Sequence, residues 1–129
     1  MRIYVDSSAL VKLVLAEKES PALAAYLASV DEMISSRIAH TELRRAVGRN
    51  PAAQDSALVE TIERLVTREL TPEIAAEAGR LEPLALRTLD AIHLATALEL
   101  GSELAAFVTY DACLAAAAAQ HGLKVAAPA

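Results

Sequence analysis

Residues 2–16, RIYVDSSALVKLVLA, decide the fold that the sequence predicts. Residues 3–5 form an apolar run of the length expected for a short buried strand. In residues 7–16 the apolar side chains recur with the spacing of an amphipathic helix instead. This stretch is therefore expected to be a strand that passes directly into a helix, with Asp6 at the junction.

The same alternation continues along the chain. Further strands are predicted at residues 32–36, 104–110 and 123–127, and helices at residues 20–29, 37–49, 51–69, 88–101 and 112–122. Strands that alternate with helices predict the α/β class, as a three-layer α/β/α sandwich with a short, mainly parallel central sheet. In such a sheet the functional site lies beyond the carboxyl ends of the strands.

Length, charge and cysteine content limit the possible functions. The 129 residues have the size of a single domain, residues 1–129. The net charge of −5 argues against a protein that holds nucleic acid by overall positive charge. One cysteine excludes an internal disulfide, and no apolar run approaches the roughly 18 residues of a membrane helix. We therefore expect a cytoplasmic protein that does not associate with a membrane.

Asp6 and Asp111 occupy equivalent positions in the predicted sheet. Each follows an apolar strand and precedes a helix, so each is either an N-cap or a functional acid. Ser7 or Ser8 is able to cap the first helix without placing a charge near the core. Parallel strands end at the same edge, with neighbours about 5 Å apart, so the two carboxylates are expected to approach each other if their strands are neighbours.

Two further acids lie in helical segments. Asp90 stands in LDAIHLATALEL, whose apolar flanks favour burial, where the acid needs a partner; otherwise it interacts with the helix dipole. His93 lies three residues further on the same face, either hydrogen-bonded to Asp90 or as an ordinary core histidine. Glu42 in IAHTELRRAV either pairs with Arg45 at the surface or points towards the same sheet edge.

Carboxylates that gather without matching bases favour a metal site. They repel one another and shift each other's pKa values, and a hard cation such as Mg²⁺ or Mn²⁺ relieves the repulsion. One or two such ions activate water and stabilise the leaving oxygen in phosphodiester hydrolysis. His40, His93 and His121 have no zinc-ligand spacing, and the four glycines form no phosphate-binding loop.

Four stretches of the chain resemble PIN-domain ribonucleases, in particular the VapC-type toxins of toxin–antitoxin pairs. They are IYVDSSALVKL, ISSRIAHTELRRAV, LRTLDAIHLATALELG and FVTYDACLAAAAAQHGLKVAAP, in that order along nearly the whole chain. The third and fourth are the most specific. The resemblance implies a PIN-like sandwich with divalent-metal-dependent endonuclease activity on RNA.

The resemblance also assigns roles by position. The catalytic acids would be Asp6, Glu42, Asp90 and Asp111. Of these, Asp6, Asp90 and Asp111 would bind one or two Mg²⁺ or Mn²⁺ ions, and Glu42 would help to orient the attacking water. Thr109 matches a position that supports the site, and Ser7 would contact metal-bound water or phosphate. His93 is a third supporting candidate from its place beside Asp90.

The partners implied are an RNA substrate, a small cognate antitoxin and a second copy of the chain in a homodimer. RNA still has to approach an acidic protein. A basic stretch around Glu42 either contacts phosphates or forms a solvated helix face; its arginines are Arg37, Arg44, Arg45 and Arg49.

Two other functions are open at this point. A PIN-fold module that binds RNA or protein without cutting would have no use for an intact acid set. A phosphotransfer domain with Asp6 as nucleophile also needs a strand-end aspartate and a metal. However, Ser8 stands where a phosphatase of that type has its second acid, and the acid pair of a receiver domain is missing.

Overall fold

The structure is a computed structural model that describes residues 1–53 and 55–129. In chain order its elements are β1 (Arg2–Val5), α1 (Ser7–Val14), α2 (Ser20–Leu27), β2 (Glu32–Ser36), α3 (Ile38–Gly48), α4 (Asp55–Arg64), β3 (Leu65–Arg68), α5 (Pro72–Arg80), α6 (Thr88–Leu100), a 3₁₀ turn (Gly101–Glu103), β4 (Ala106–Val108), α7 (Ala112–Gln120) and β5 (Val125–Ala126).

The five strands of the described residues form one sheet in the order β3-β2-β1-β4-β5. Every pairing is parallel, and β1 lies at the centre with Tyr4 opposite Ile34 of β2 and Phe107 of β4. Alternate side chains of β1 face opposite sides, because successive residues of a strand point in opposite directions. Ile3 and Val5 pack against α1 to α4, whereas Tyr4 packs against α5 to α7. The predicted three-layer α/β/α sandwich is therefore confirmed.

The third strand was missed by the sequence prediction. Residues 51–69 were expected to form one helix, but α4 begins at Asp55 and ends at Arg64, and Leu65–Arg68 form β3 at the sheet edge. Residue 54 of that predicted helix lies outside the described residues. β-branched Val66 and Thr67 suit an extended backbone, and pairing with β2 outweighs the helical pattern. Two other strands are shorter than expected, since β4 and β5 span only Ala106–Val108 and Val125–Ala126.

The parallel arrangement brings the predicted acids to one edge. β1 and β4 are neighbours, and the Asp6 N–H donates a hydrogen bond of 3.2 Å to the Val108 carbonyl just beyond their paired region. Asp6 and Asp111 therefore emerge from adjacent strands at the same end of the sheet. None of the helices in the described part of the chain is long and apolar enough to cross a membrane.

Candidate active site

Asp6 is the most deeply placed of the four acids, with 2% of its surface exposed. Its Oδ1 accepts hydrogen bonds from the Ser8 hydroxyl at 2.7 Å and from the Ala9 N–H at 3.1 Å, and its Oδ2 accepts one from the Thr109 hydroxyl at 2.7 Å. The Ala9 contact makes Asp6 itself the N-cap of α1, in place of Ser7 or Ser8. Burial raises the pKa of Asp6 above its ordinary value, although the hydrogen bonds from Thr109 and Ser8 oppose the shift.

Asp111 stands at the corresponding position after β4. It caps α7, since its Oδ1 accepts the Leu114 N–H at 2.8 Å. Its own N–H donates to the Thr109 hydroxyl at 3.1 Å, while that hydroxyl donates to Asp6. Thr109 is only 1% exposed, and it fixes the two aspartates relative to each other.

Glu42 faces inwards from α3. Its Oε1 accepts the Ser7 hydroxyl at 2.5 Å and lies 2.8 Å from the His93 Nε2. It does not pair with Arg45, so the surface alternative for Glu42 is wrong. Burial acts to raise the pKa of Glu42, but the hydrogen bond and charge of His93 and the Ser7 hydroxyl outweigh it and lower that pKa. Glu42 is thus an ionised acceptor at neutral pH.

His93 belongs to this part of the site rather than to Asp90. It is 1% exposed, and its Nδ1 lies 2.7 Å from the hydroxyl of Tyr4. That hydroxyl also accepts the Ser36 N–H at 3.1 Å. The Glu42 carboxylate only accepts, so His93 Nε2 carries a proton directed at it. In the neutral ring, Nδ1 then accepts the proton of the Tyr4 hydroxyl. Of the two interpretations of His93 that the sequence leaves open, the contact with Asp90 is wrong and the hydrogen-bonded core histidine is confirmed, because the ring points from α6 to the sheet and α3.

Arg87, which the sequence interpretation missed, forms ion pairs with both Asp90 and Asp111. The Nε of Arg87 lies 3.3 Å from Asp90 Oδ2, and its Nη2 lies 3.1 Å from Asp111 Oδ2. The Asp90 and Asp111 side chains are 17% and 25% exposed, whereas that of Arg87 is 78% exposed. One guanidinium therefore bridges two of the predicted metal ligands.

The comparisons with known proteins decide the family. The PIN domain family model matches residues 3–111. The chain belongs to the PIN-domain family. Its relatives include ribonuclease VapC46 of Mycobacterium tuberculosis, 41% identical over 126 residues that cover 98% of this chain and 97% of the relative. Ribonuclease VapC35 of the same species is 42% identical over 130 residues, covering 98% and 96%. At this similarity the chain is a member of the VapC ribonucleases, which confirms the resemblance seen in the sequence.

A solved structure agrees with the fold of this PIN domain. Mycobacterium tuberculosis VapC20, described as a sarcin-ricin loop cleaving toxin, superposes with a TM-score of 0.73 over 98% of this chain and 99% of that chain. The two are 15% identical, so the match supports the shared fold alone.

The donors present in the PIN domain fit a hard divalent cation. PIN-domain nucleases generally depend on such an ion. Within residues 1–53 and 55–129, no group of three or more His, Cys, Asp or Glu side chains is close enough to hold a metal. However, Mg²⁺ commonly takes one or two carboxylates and keeps several waters. Asp90 and Asp111 already converge on one positive group, and their oxygens are the donors that Mg²⁺ and Mn²⁺ prefer.

The predicted RNA-contacting arginines differ in whether they already form a salt bridge within the protein. Arg37 is paired with Glu69 at 2.6 Å. Arg44, Arg45 and Arg49 line a shallow depression on α3 and are exposed, and within the described residues none of the three has a salt-bridge partner. These three are therefore better placed than Arg37 to meet a phosphate.

Proposed function

We propose that this VapC ribonuclease hydrolyses RNA phosphodiester bonds internally, with one or two Mg²⁺ or Mn²⁺ ions held at the carboxyl edge of the sheet. One observation supports this above all. A chain of contacts connects acids from separate parts of the sequence at that edge. Thr109 links Asp6 to Asp111, and Arg87 links Asp111 to Asp90. Ser7, which follows Asp6, and His93 both contact Glu42.

In this proposal Asp6 and Asp90 are the main metal ligands, and Asp111 binds the ion directly or through water. A divalent cation supplies water of lowered pKa and neutralises charge on the phosphate. Asp6 is suited to hold a fixed position, because three donors fix its two oxygens. Asp90 and Asp111 present the more accessible oxygens at the mouth of the site.

Glu42 has a different role. Its lowered pKa makes it a weak base, so it is better suited to orient the attacking water by accepting a hydrogen bond than to remove a proton completely. His93 and Ser7 each donate one hydrogen bond to the same oxygen of Glu42, Oε1. Within the described residues no group donates a hydrogen bond to the other oxygen, Oε2, which is therefore available for that water.

Family membership also supports the partners proposed. The chain would act as the toxin of a toxin–antitoxin pair that blocks translation and growth, and a small antitoxin would restrain it. A homodimer and a cytoplasmic location are further parts of the proposal, the latter because the single cysteine suits a reducing compartment.

The alternative functions are less well supported by the geometry. A phosphotransfer domain of the phosphatase type needs a second acid two residues after the Asp6 nucleophile, but that position holds Ser8, whose hydroxyl donates to Asp6 instead. A module that only binds RNA would leave the joined acids without a use.

A paired nuclease assay tests the proposal. Wild type and the Asp6→Asn, Asp90→Asn double variant are incubated with total cellular RNA and Mg²⁺ or Mn²⁺, with and without chelator. The matched control is Asp31→Asn, Asp55→Asn, which removes the same charge from exposed acids. We expect discrete cleavage by wild type and control only, abolished by the chelator. Equal cleavage by the Asp6, Asp90 variant, or none by wild type with metal, would contradict the proposal.

A further inference from the structure

Arg87 is a cation placed where the proposed metal ligands meet. It stands at the N-cap position of α6, one residue before the first turn, and its guanidinium reaches both Asp90 and Asp111. An arginine side chain is not deprotonated in proteins, so Arg87 is charged wherever the two acids are ionised.

The other acids of the site have different partners. Asp6 is satisfied by two hydroxyls and one backbone N–H, and Glu42 by Ser7 and His93. Within the described residues, Asp90 receives a side-chain hydrogen bond or salt bridge only from Arg87. The single guanidinium therefore supplies the positive charge that offsets the repulsion between Asp90 and Asp111.

The ion pairs of Arg87 with Asp90 and Asp111 are weak because they are exposed to solvent. Its side chain is 78% exposed, and its hydrogen bonds to Asp90 and Asp111 measure 3.3 and 3.1 Å. An exposed ion pair of this kind contributes little and is screened by salt. A divalent cation, with twice the charge, attracts the same oxygens more strongly.

We propose that Arg87 is an internal counter-cation that holds Asp90 and Asp111 together in the metal-free protein and competes with the divalent ion for them. This inference rests on the proposed function, since it takes both aspartates as metal ligands. Arg87 then sets the metal concentration at which the site fills. It also lets the acidic edge, meaning the carboxyl edge of the sheet with Asp6, Asp90 and Asp111, form before metal binds.

Metal binding without RNA tests the inference. Isothermal titration with Mn²⁺ is compared for wild type, Arg87→Ala, Arg87→Lys and Arg80→Ala. Arg80 is the matched control because it is an exposed arginine that pairs with Glu77 on α5, so its loss changes the net charge equally. Removing a unit positive charge that contacts both ligands should tighten Mn²⁺ binding on the order of tenfold. Arg87→Lys should lie between wild type and Arg87→Ala, and Arg80→Ala should bind as wild type does.

Thermal melting gives a second readout that needs no activity. Saturating Mn²⁺ should raise the melting temperature of Arg87→Ala by more than it raises that of wild type, because the variant binds the ion more tightly. Mn²⁺ affinity in Arg87→Ala that is equal to or weaker than that of wild type would overturn the inference. Equal tightening in Arg80→Ala would also overturn it, because the effect would then come from net charge.

The failures of the two proposals are distinguishable. Metal binding with no RNA cleavage by wild type would reject the proposed function, yet the titrations would still decide the role of Arg87. RNA cleavage with unchanged Mn²⁺ affinity in Arg87→Ala would reject the role of Arg87 alone.

Discussion

Thr109→Val tests whether one buried hydroxyl holds the acidic edge together. The hydroxyl donates to Asp6 Oδ2 at 2.7 Å and accepts the Asp111 N–H at 3.1 Å. Valine keeps the shape of threonine but removes both hydrogen bonds. The variant therefore leaves Asp6 with two donors and Asp111 with an N–H that has lost its acceptor.

The expected cost follows from the charge on Asp6. A hydrogen bond to a charged group contributes about 1.5–3 kcal/mol, and Thr109 is 1% exposed, so water does not replace it freely. We expect a loss of about 2–3 kcal/mol in the free energy of unfolding. At roughly 4 °C per kcal/mol for a chain of this size, the melting temperature falls by about 8–12 °C.

Two control variants isolate the hydroxyl. Thr109→Ser keeps the donor and loses only a methyl group, so its metal-free melting temperature should lie close to that of wild type. Thr61→Val makes the same substitution at another buried threonine, whose hydroxyl donates at 2.8 Å to the Ala57 carbonyl within its own helix. Its cost should be smaller, because no charged group loses a donor.

The assay is chemical and thermal unfolding of metal-free protein, with RNA cleavage measured at a temperature where every variant is folded. Thr109→Val should lose cleavage as well as stability, because Asp6 and Asp111 are no longer fixed relative to each other. A melting temperature within 2 °C, on the order of the shift for half a kcal/mol, would refute the reasoning. Equal losses in Thr109→Val and Thr61→Val would also refute it.

Three further changes have defined outcomes. Asp6→Asn should abolish cleavage but raise the metal-free melting temperature at neutral pH; burial raises the pKa of Asp6, so the folded protein bears the cost of that charge above the pKa. Glu42→Gln should make stability less sensitive to acid. Burial opposes the shift, but His93 prevails and lowers the pKa of Glu42, so its stabilisation is present above the ordinary glutamate pKa and lost as pH falls through the folded-state value. Urea midpoints across the acid range measure this. Arg44→Glu with Arg49→Glu should weaken RNA binding and flatten its salt dependence, as measured by fluorescence anisotropy of labelled RNA.

Each of these three predictions would be contradicted by a specific result. A lower melting temperature in Asp6→Asn would contradict the cost assigned to the buried charge. Identical acid sensitivity in wild type and Glu42→Gln would remove Glu42 from the groups that stabilise the folded state. Charge reversal at Arg80 and Lys18 is the control for RNA binding, since both are exposed. Equal weakening there would assign the effect to net charge.

The strand–acid–helix junctions were predictable because local pattern and tertiary role coincide. At Asp6 and Asp111 an apolar run ends, a helix begins, and the acid caps that helix while facing the sheet edge. Parallel topology then brings both acids together without any information beyond strand order. The sequence leaves capping and function as alternatives for each acid. The structure shows that both acids are N-caps, and that each cap also stands at the edge of the sheet where we propose the site.

Other features depend on packing that the pattern does not encode. LVTR continues the apolar spacing of α4 and therefore predicts helix, and only pairing with β2 selects the strand. Helical spacing allows His93 either to contact Asp90 or to be a core histidine. Because α6 is buried on several sides, the ring turns to Tyr4 and Glu42. Arg87 gave no signal, since an arginine before a helix is ordinary until its two partners are located.

Anomalous diffraction from crystals grown with Mn²⁺ shows whether the acidic edge holds a divalent cation. We expect an anomalous peak among Asp6, Asp90 and Asp111, within direct coordination distance of oxygens from at least two of them, with Arg87 moved away from Asp90. No peak at saturating Mn²⁺, or a peak bound only elsewhere on the protein, would contradict it.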